Sequence, residues 1–138
     1  MLWDLGANVG VLSSVASEKG MRAVSFDIDP AAVERNYMEY VRRGETNILP
    51  LVLDLTNPSS SIGWENKERI SVFERGPAYM VLALVHRLAI FKNLPFNELV
   101  STLGTICNWV AVEFVPKSDS QVERLPSTRD DIFPDYTH

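Results

Sequence analysis

Asp4, Gly6, Asn8 and Gly10 fall at alternate positions in the opening stretch MLWDLGANVG, giving the pattern D-x-G-x-N-x-G. An acidic residue ends a short apolar run, a turn of small residues follows, and a helical pattern begins at once. Gly6 and Gly10 bring φ freedom and let a ligand lie against bare backbone. The amides that open a helix are in turn a ready site for polar ligand groups. Taken alone, the same turn serves equally well as plain strand-to-helix packing. Two further aspartates change its meaning. Asp27 stands at the end of the strand read in RAVSFDI, just before Ile28, and Asp54 follows ILPLVL. One aspartate after a strand is ordinarily a cap or turn residue; three on one edge of a sheet form a polar rim.

The elements that must hold this rim follow from periodicity. Residues 1–5 read as a strand and 9–19 as a helix, with Val9, Leu12, Val15 and Ala16 spaced for a buried face and Gly20 as its stop. Residues 22–28 read as a second strand. Asp29 is then an N-cap with Pro30 at the first helical position, and the helix runs to about Arg43, where Gly44 closes it. Val33, Tyr37, Tyr40 and Val41 share its inner face. Residues 48–53 form a third strand, weakened at its start by Pro50. A polar loop at 56–61 leads to an amphipathic helix at 64–75, with Ile70 and Phe73 inward and Lys67, Arg69 and Arg75 on a solvated face. Strand four covers 79–85, a helix or turn begins at 88–91, a helix covers 95–106 with Leu99, Leu103 and Ile106 on one side, and strand five covers 108–115. A helical turn at 120–125 sits in a polar tail. Trp64 and Trp109 read as core residues.

Strand and helix alternate with short connections, which implies a parallel sheet covered on both faces. Ligands of such sheets bind outside the carboxyl ends of the strands, where Asp4, Asp27 and Asp54 would stand. The 138 residues suffice for one domain with a real core. A net charge of −5 and a pI near 5.0 argue against a nucleic-acid partner gripped by a broad basic surface. The single Cys107 leaves no internal disulfide and fits a reducing, cytoplasmic setting. No run of about 18 apolar residues is present to span a membrane.

With five strands assigned, the chain resembles the class I S-adenosylmethionine-dependent methyltransferases over nearly its whole length. Asp4, Gly6 and Gly10 match the first motif, with Asn8 where a glycine often sits. Asp27 matches the acidic residue that holds the ribose hydroxyls, and Ile28 would lie against adenine. Asp54 matches the acidic residue near the adenine amino group, with Leu55 beside it. The resemblance implies a Rossmann-like, doubly wound, mostly parallel α/β sheet of order 3-2-1-4-5 and S-adenosylmethionine as cofactor, with S-adenosylhomocysteine as product. It requires no metal. A carboxylate accepting two charge-assisted hydrogen bonds suits a ribose diol, and an apolar slot suits adenine. The segments GWENKERISVFERGPAYMVLALVHRLAI and VEFVPKSDSQVERL are similar to a bacterial, nodulation-related branch of such methyltransferases. In that branch a pair of histidines tends to follow strand four; this chain has His86 and Arg87.

His86 is therefore the candidate for a residue that faces the methyl acceptor and takes a proton. Glu113, Lys117 and Asp119 lie on the same edge and are candidates to line its pocket. The acceptor itself is not identified by any residue pattern. The rival enzyme reading, a nicotinamide or flavin oxidoreductase, wants G-x-G-x-x-G, and counting from Gly6 the chain has Asn8 and Val11 in place of glycine. A third reading is a catalytically inactive interaction module on the same fold. Measured against the resemblance, the chain is expected to lack the helix before strand one and the C-terminal antiparallel hairpin, as a piece of a longer protein would. Its isolated form is then expected to bind cofactor weakly, and the bare edge of strand five invites a homodimer.

Overall fold

The computed structural model describes residues 1–75, 78–83 and 95–112. Among the described residues, five strands run in chain order as β1 (Leu2–Leu5), β2 (Ala23–Asp27), β3 (Ile48–Val52), β4 (Ala78–Ala83) and β5 (Cys107–Val112). Three α-helices among the same residues accompany them: α1 (Val11–Glu18), α2 (Pro30–Arg43) and α3 (Phe96–Ile106). Among the described residues the fold is mixed α/β, and these five strands pair in parallel. Leu2 pairs with Ala23 on one side and Met80 on the other, Ala23 pairs with Ile48, and Ala78 pairs with Cys107. Hydrogen-bonded neighbours run β3-β2-β1-β4-β5, so the chain steps outward from β1 in one direction and then from β4 in the other. Pro50, which lacks an N–H, sits in β3 at the sheet edge, where a missing donor is tolerated.

Alternation along β1 divides the core between two faces. Trp3 and Leu5 join Phe26, Leu53 and the α3 residues Leu99, Leu103 and Ile106. Leu2 joins Ala23, Ile48, Ala16 of α1 and Tyr40 of α2. Thus α1 and α2 cover one face and α3 the other. Trp3 meets Phe26 edge-on, with centroids 5.3 Å apart at 71°, a geometry that adds about 0.5–1.5 kcal/mol to the burial itself. The α3 stripe matches the sequence pattern residue for residue. The ends of α2 match as well: Asp29 accepts from the Ala31 amide at 2.9 Å, Pro30 opens the helix, and Gly44 closes it at φ 66°.

Several expectations are corrected. The α1 face against the sheet consists of Ser13, Ala16 and Ser17, while Val9, Leu12 and Val15 are exposed. Small side chains let α1 approach closely enough for Ser13 to reach Asp4, and that pairing turns the larger residues outward. On α2, Ala32, Val33, Asn36 and Tyr40 are buried, and Tyr37 and Val41 are exposed. The helix expected over 64–75 is instead two 3-10 turns, Trp64–Asn66 and Phe73–Arg75, the first of them bracketed by an antiparallel bridge between Ile62 and Arg69. Glu65 and Asn66 adopt left-handed φ of 53° and 58°, which ends any helix there. Ile70 is exposed, whereas Phe73 packs on the α3-side core. Trp64 and Trp109 are not core residues, being 81% and 62% exposed. The ends expected for strands four and five, the element at 88–91, the turn at 120–125 and any C-terminal hairpin lie outside the described residues. No helix among the described residues is long and apolar enough to cross a membrane.

Candidate functional site

The turn between β1 and α1 lies where the sheet's winding reverses, at the carboxyl end of its central strand. Its conformation is the one its residue types allow: Gly6 at φ 82°, Asn8 at φ 51° and Gly10 at φ 77° are all left-handed. Asparagine tolerates that region better than most residues because its short side chain is polar and unbranched at Cβ. The Gly6 and Ala7 amides both donate to the Phe26 carbonyl, at 2.8 and 2.9 Å. The Asn8 amide donates to Asp27 Oδ2 at 2.7 Å, and the Gly10 amide to the Ala7 carbonyl at 2.8 Å.

Asp27 is 6% exposed and spans two loops. Its Oδ2 takes the Asn8 amide and its Oδ1 the Asp29 amide at 2.9 Å. A carboxylate has about four acceptor positions, so capacity for further donors remains after both loops are fastened. Ile28, the next residue, is 52% exposed and offers an apolar surface beside it. Asp4 is turned away from the rim toward α1. Its Oδ2 accepts both the Ser13 amide at 3.1 Å and the Ser13 hydroxyl at 2.7 Å, holding the first turn of the helix. Burial holds the Asp4 carboxyl above its ordinary pKa; the Ser13 hydrogen bonds oppose that shift, and the charge of Asp27 adds to it.

Asp54 follows β3, and its Oδ1 accepts the Thr56 amide at 2.9 Å and hydroxyl at 2.7 Å. Leu55 packs at the margin of the α3-side core. The structure therefore joins Asp4, Gly6, Asn8, Gly10 and Asp27 in one bonded unit, with Ile28 adjacent. Asp54 and Leu55 stand on the same sheet edge, since β2 and β3 pair in parallel up to Asp27 and Val52. His86, Glu113, Lys117 and Asp119 lie outside the described residues. No group of three metal-ligating side chains occurs among those described.

Three residues of the unit were missed by motif reading. Ser13 holds Asp4. Asn36 donates through Nδ2 to Ser25 Oγ at 3.0 Å, and the Tyr40 hydroxyl donates to the Gly10 carbonyl at 2.7 Å. Burial pushes the Tyr40 hydroxyl up to about 12, with the charge of Asp4 contributing. The signal for Asn36 was its spacing: it falls between Val33 and Tyr40 on the inner stripe of α2. Gly10 owes its identity to the same helix, because a Cβ there would lie 2.3 Å from both Asn36 Oδ1 and Tyr40 Oη.

No protein-family model matches the chain. It is 43% identical over 136 residues to nodulation protein NoeA of Rhizobium meliloti (strain 1021), an alignment covering 96% of this chain and 28% of NoeA. The chain thus spans under a third of that relative, and the nodulation-related similarity read from its sequence is present. Among solved structures it is similar to the bifunctional kinase-methyltransferase WbdD, with a TM-score of 0.60 and 16% identity, over 86% of this chain and 25% of that one. WbdD with the kinase inhibitor LY294002 gives a TM-score of 0.59 at 16% identity and the same coverage. These structural likenesses are of fold.

Proposed function

We propose that the chain is the cofactor-binding part of an S-adenosylmethionine-dependent methyltransferase, built on a Rossmann-like doubly wound sheet. The observation that carries this reading is the disposal of the loop amides. Gly6, Ala7, Asn8 and Gly10 all donate within the protein, and the carboxylate of Asp27 stands against the turn. A pyrophosphate laid on this loop would find those four amides already engaged and the Asp27 carboxylate beside it as a like charge. A nucleoside without phosphates, bearing a positive sulfonium, suits the same surroundings. This disfavours a nicotinamide or flavin dinucleotide. Similarity to NoeA and to a kinase-methyltransferase supports the same conclusion.

In this reading Asp27 accepts the ribose hydroxyls with its remaining lone pairs, Ile28 and Leu55 flank the adenine, and Asp54 meets the adenine edge. The cofactor, when bound, supplies a methyl group already activated on sulfur. The chain's own residues bind and orient it, and His86 takes a proton from the acceptor. A reducing cytoplasm, where Cys107 stays a thiol, is the compartment this reading implies.

Titration with S-adenosylhomocysteine and, separately, NADH tests the proposal. S-adenosylhomocysteine should saturate the protein, and Asp27→Asn should weaken it by about tenfold or more, the worth of a charge-assisted hydrogen bond. Saturable NADH binding without any response to S-adenosylhomocysteine would overturn it.

A further inference from the structure

We infer that Tyr40 is a positioning residue for the cofactor loop, acting through the Gly10 carbonyl; the inference rests on the cofactor reading above. The loop from Gly6 to Gly10 is fastened at three points, all supplied by the β2–α2 segment. At its entry the Gly6 and Ala7 amides share the Phe26 carbonyl. At its middle the Asn8 amide meets Asp27. At its exit the Tyr40 hydroxyl meets the Gly10 carbonyl, across 30 residues of chain.

The exit fastening has features that packing alone does not require. Gly10 O already accepts the Ser14 amide at 2.9 Å, the first bond of α1, so its second lone pair is the one given to Tyr40. Tyr40 is 4% exposed, and its ring lies in the cluster with Leu2, Ala16, Ala23 and Ile48. A phenylalanine would fill that space equally well. The hydroxyl reaches beyond the cluster to the loop. Asn36, 1% exposed and braced by Ser25, lies against the same Gly10, and its Oδ1 has no hydrogen-bond partner among the described residues. Burying an unpaired oxygen is costly, and its closeness to Gly10 shows how tightly α2 is drawn to the loop.

The consequence reaches the ligand through Asp27. Asn8 is held at a left-handed φ between the second and third fastenings, and its amide fixes the Oδ2 of Asp27 at 2.7 Å. Releasing Gly10 frees Asn8 to relax, and the carboxylate is left with one of its two backbone donors, the Asp29 amide on Oδ1. A residue on the far side of the loop thereby contributes to the orientation of the group assigned to the ribose.

Tyr40→Phe keeps the ring and removes only the hydroxyl. The test measures amide hydrogen exchange without ligand, and S-adenosylhomocysteine affinity at a temperature where both proteins are fully folded. Exchange at Asn8 and Gly10 should quicken about three- to tenfold, the range for one lost hydrogen bond, relative to Leu99 and Leu103 in α3. The dissociation constant should rise by a similar factor. Added to Asp27→Asn, the change should cost less than it does alone, since the partner it orients is already altered. Equal acceleration in the loop and α3 with unchanged affinity would overturn the inference, leaving Tyr40 a packing residue. If the parent protein binds no S-adenosylhomocysteine, the cofactor reading fails, and the ratio of loop to α3 exchange still decides whether Tyr40 anchors the loop.

Discussion

Gly10 was first a candidate for lying against a ligand, and the structure gives it a second neighbour on its other side. Its left-handed φ disfavours a side chain, and so do Asn36 Oδ1 and Tyr40 Oη, each of which would lie 2.3 Å from a Cβ placed there. Gly10→Ala should therefore destabilise the fold by at least about 1–2 kcal/mol from backbone strain alone, with the contact on α2 adding to it. Urea unfolding would read this as a lower midpoint. Gly44 offers the contrast, because nothing lies within 4 Å of a Cβ built there. Its substitution should cost strain without collision, and so less than at Gly10. At Asp27 the sequence marked the residue, and the fold specified its partners. An aspartate at a strand end can cap its own loop; this one also reaches the amide of Asn8, 19 residues earlier.

At the scale of elements, agreement followed the strength of the local signal. α2 was legible at both ends because Asp29, Pro30 and Gly44 act through short-range chemistry. α3 was legible because Leu99, Leu103 and Ile106 repeat at helical spacing against one core. Leu103→Ala should leave a cavity in that core and cost about 2–5 kcal/mol, measured by denaturant unfolding with an unchanged slope. α1 misled because its apolar residues suggested the inner face, whereas the demand of Asp4 for Ser13 set the helix's rotation. The segment 64–75 misled differently. Its apolar spacing suited a helix, but Gly63, Glu65 and Asn66 take left-handed backbone and the strand-like bridge from Ile62 to Arg69 replaces helical turns.

For the whole molecule, a buried carboxylate makes folding sensitive to pH. The folded state holds the Asp4 proton more tightly than the unfolded chain, whose ordinary value is 3.8. Above that value the unfolded chain releases the proton first, so the stability tied to protonated Asp4 falls as pH rises through the folded pKa and is flat beyond it. Asp4→Asn can keep both Ser13 bonds, since both fall on a single oxygen. The stability of that variant relative to the parent should therefore increase from about pH 4 upward and then level off. Unfolding at a series of pH values checks this, and a constant difference would refute it. The sequence by itself determined the alternation of strand and helix, the three aspartates at strand ends and the glycine turn, because these rest on local periodicity, capping and φ preference. Tertiary structure decided which side each aspartate serves. Asp4 turned inward to α1 while Asp27 tied two loops together; the register puts both on the same face, Asp4 level with Ser25 and Asp27 two residues nearer the carboxyl rim, so Asp4 meets the first turn of α1 and Asp27 meets the loops. It also decided that Tyr40 and Asn36 belong to the loop's support: helical spacing puts both on the inner stripe of α2, but only the fold brings that stripe against Gly10, 30 residues before Tyr40.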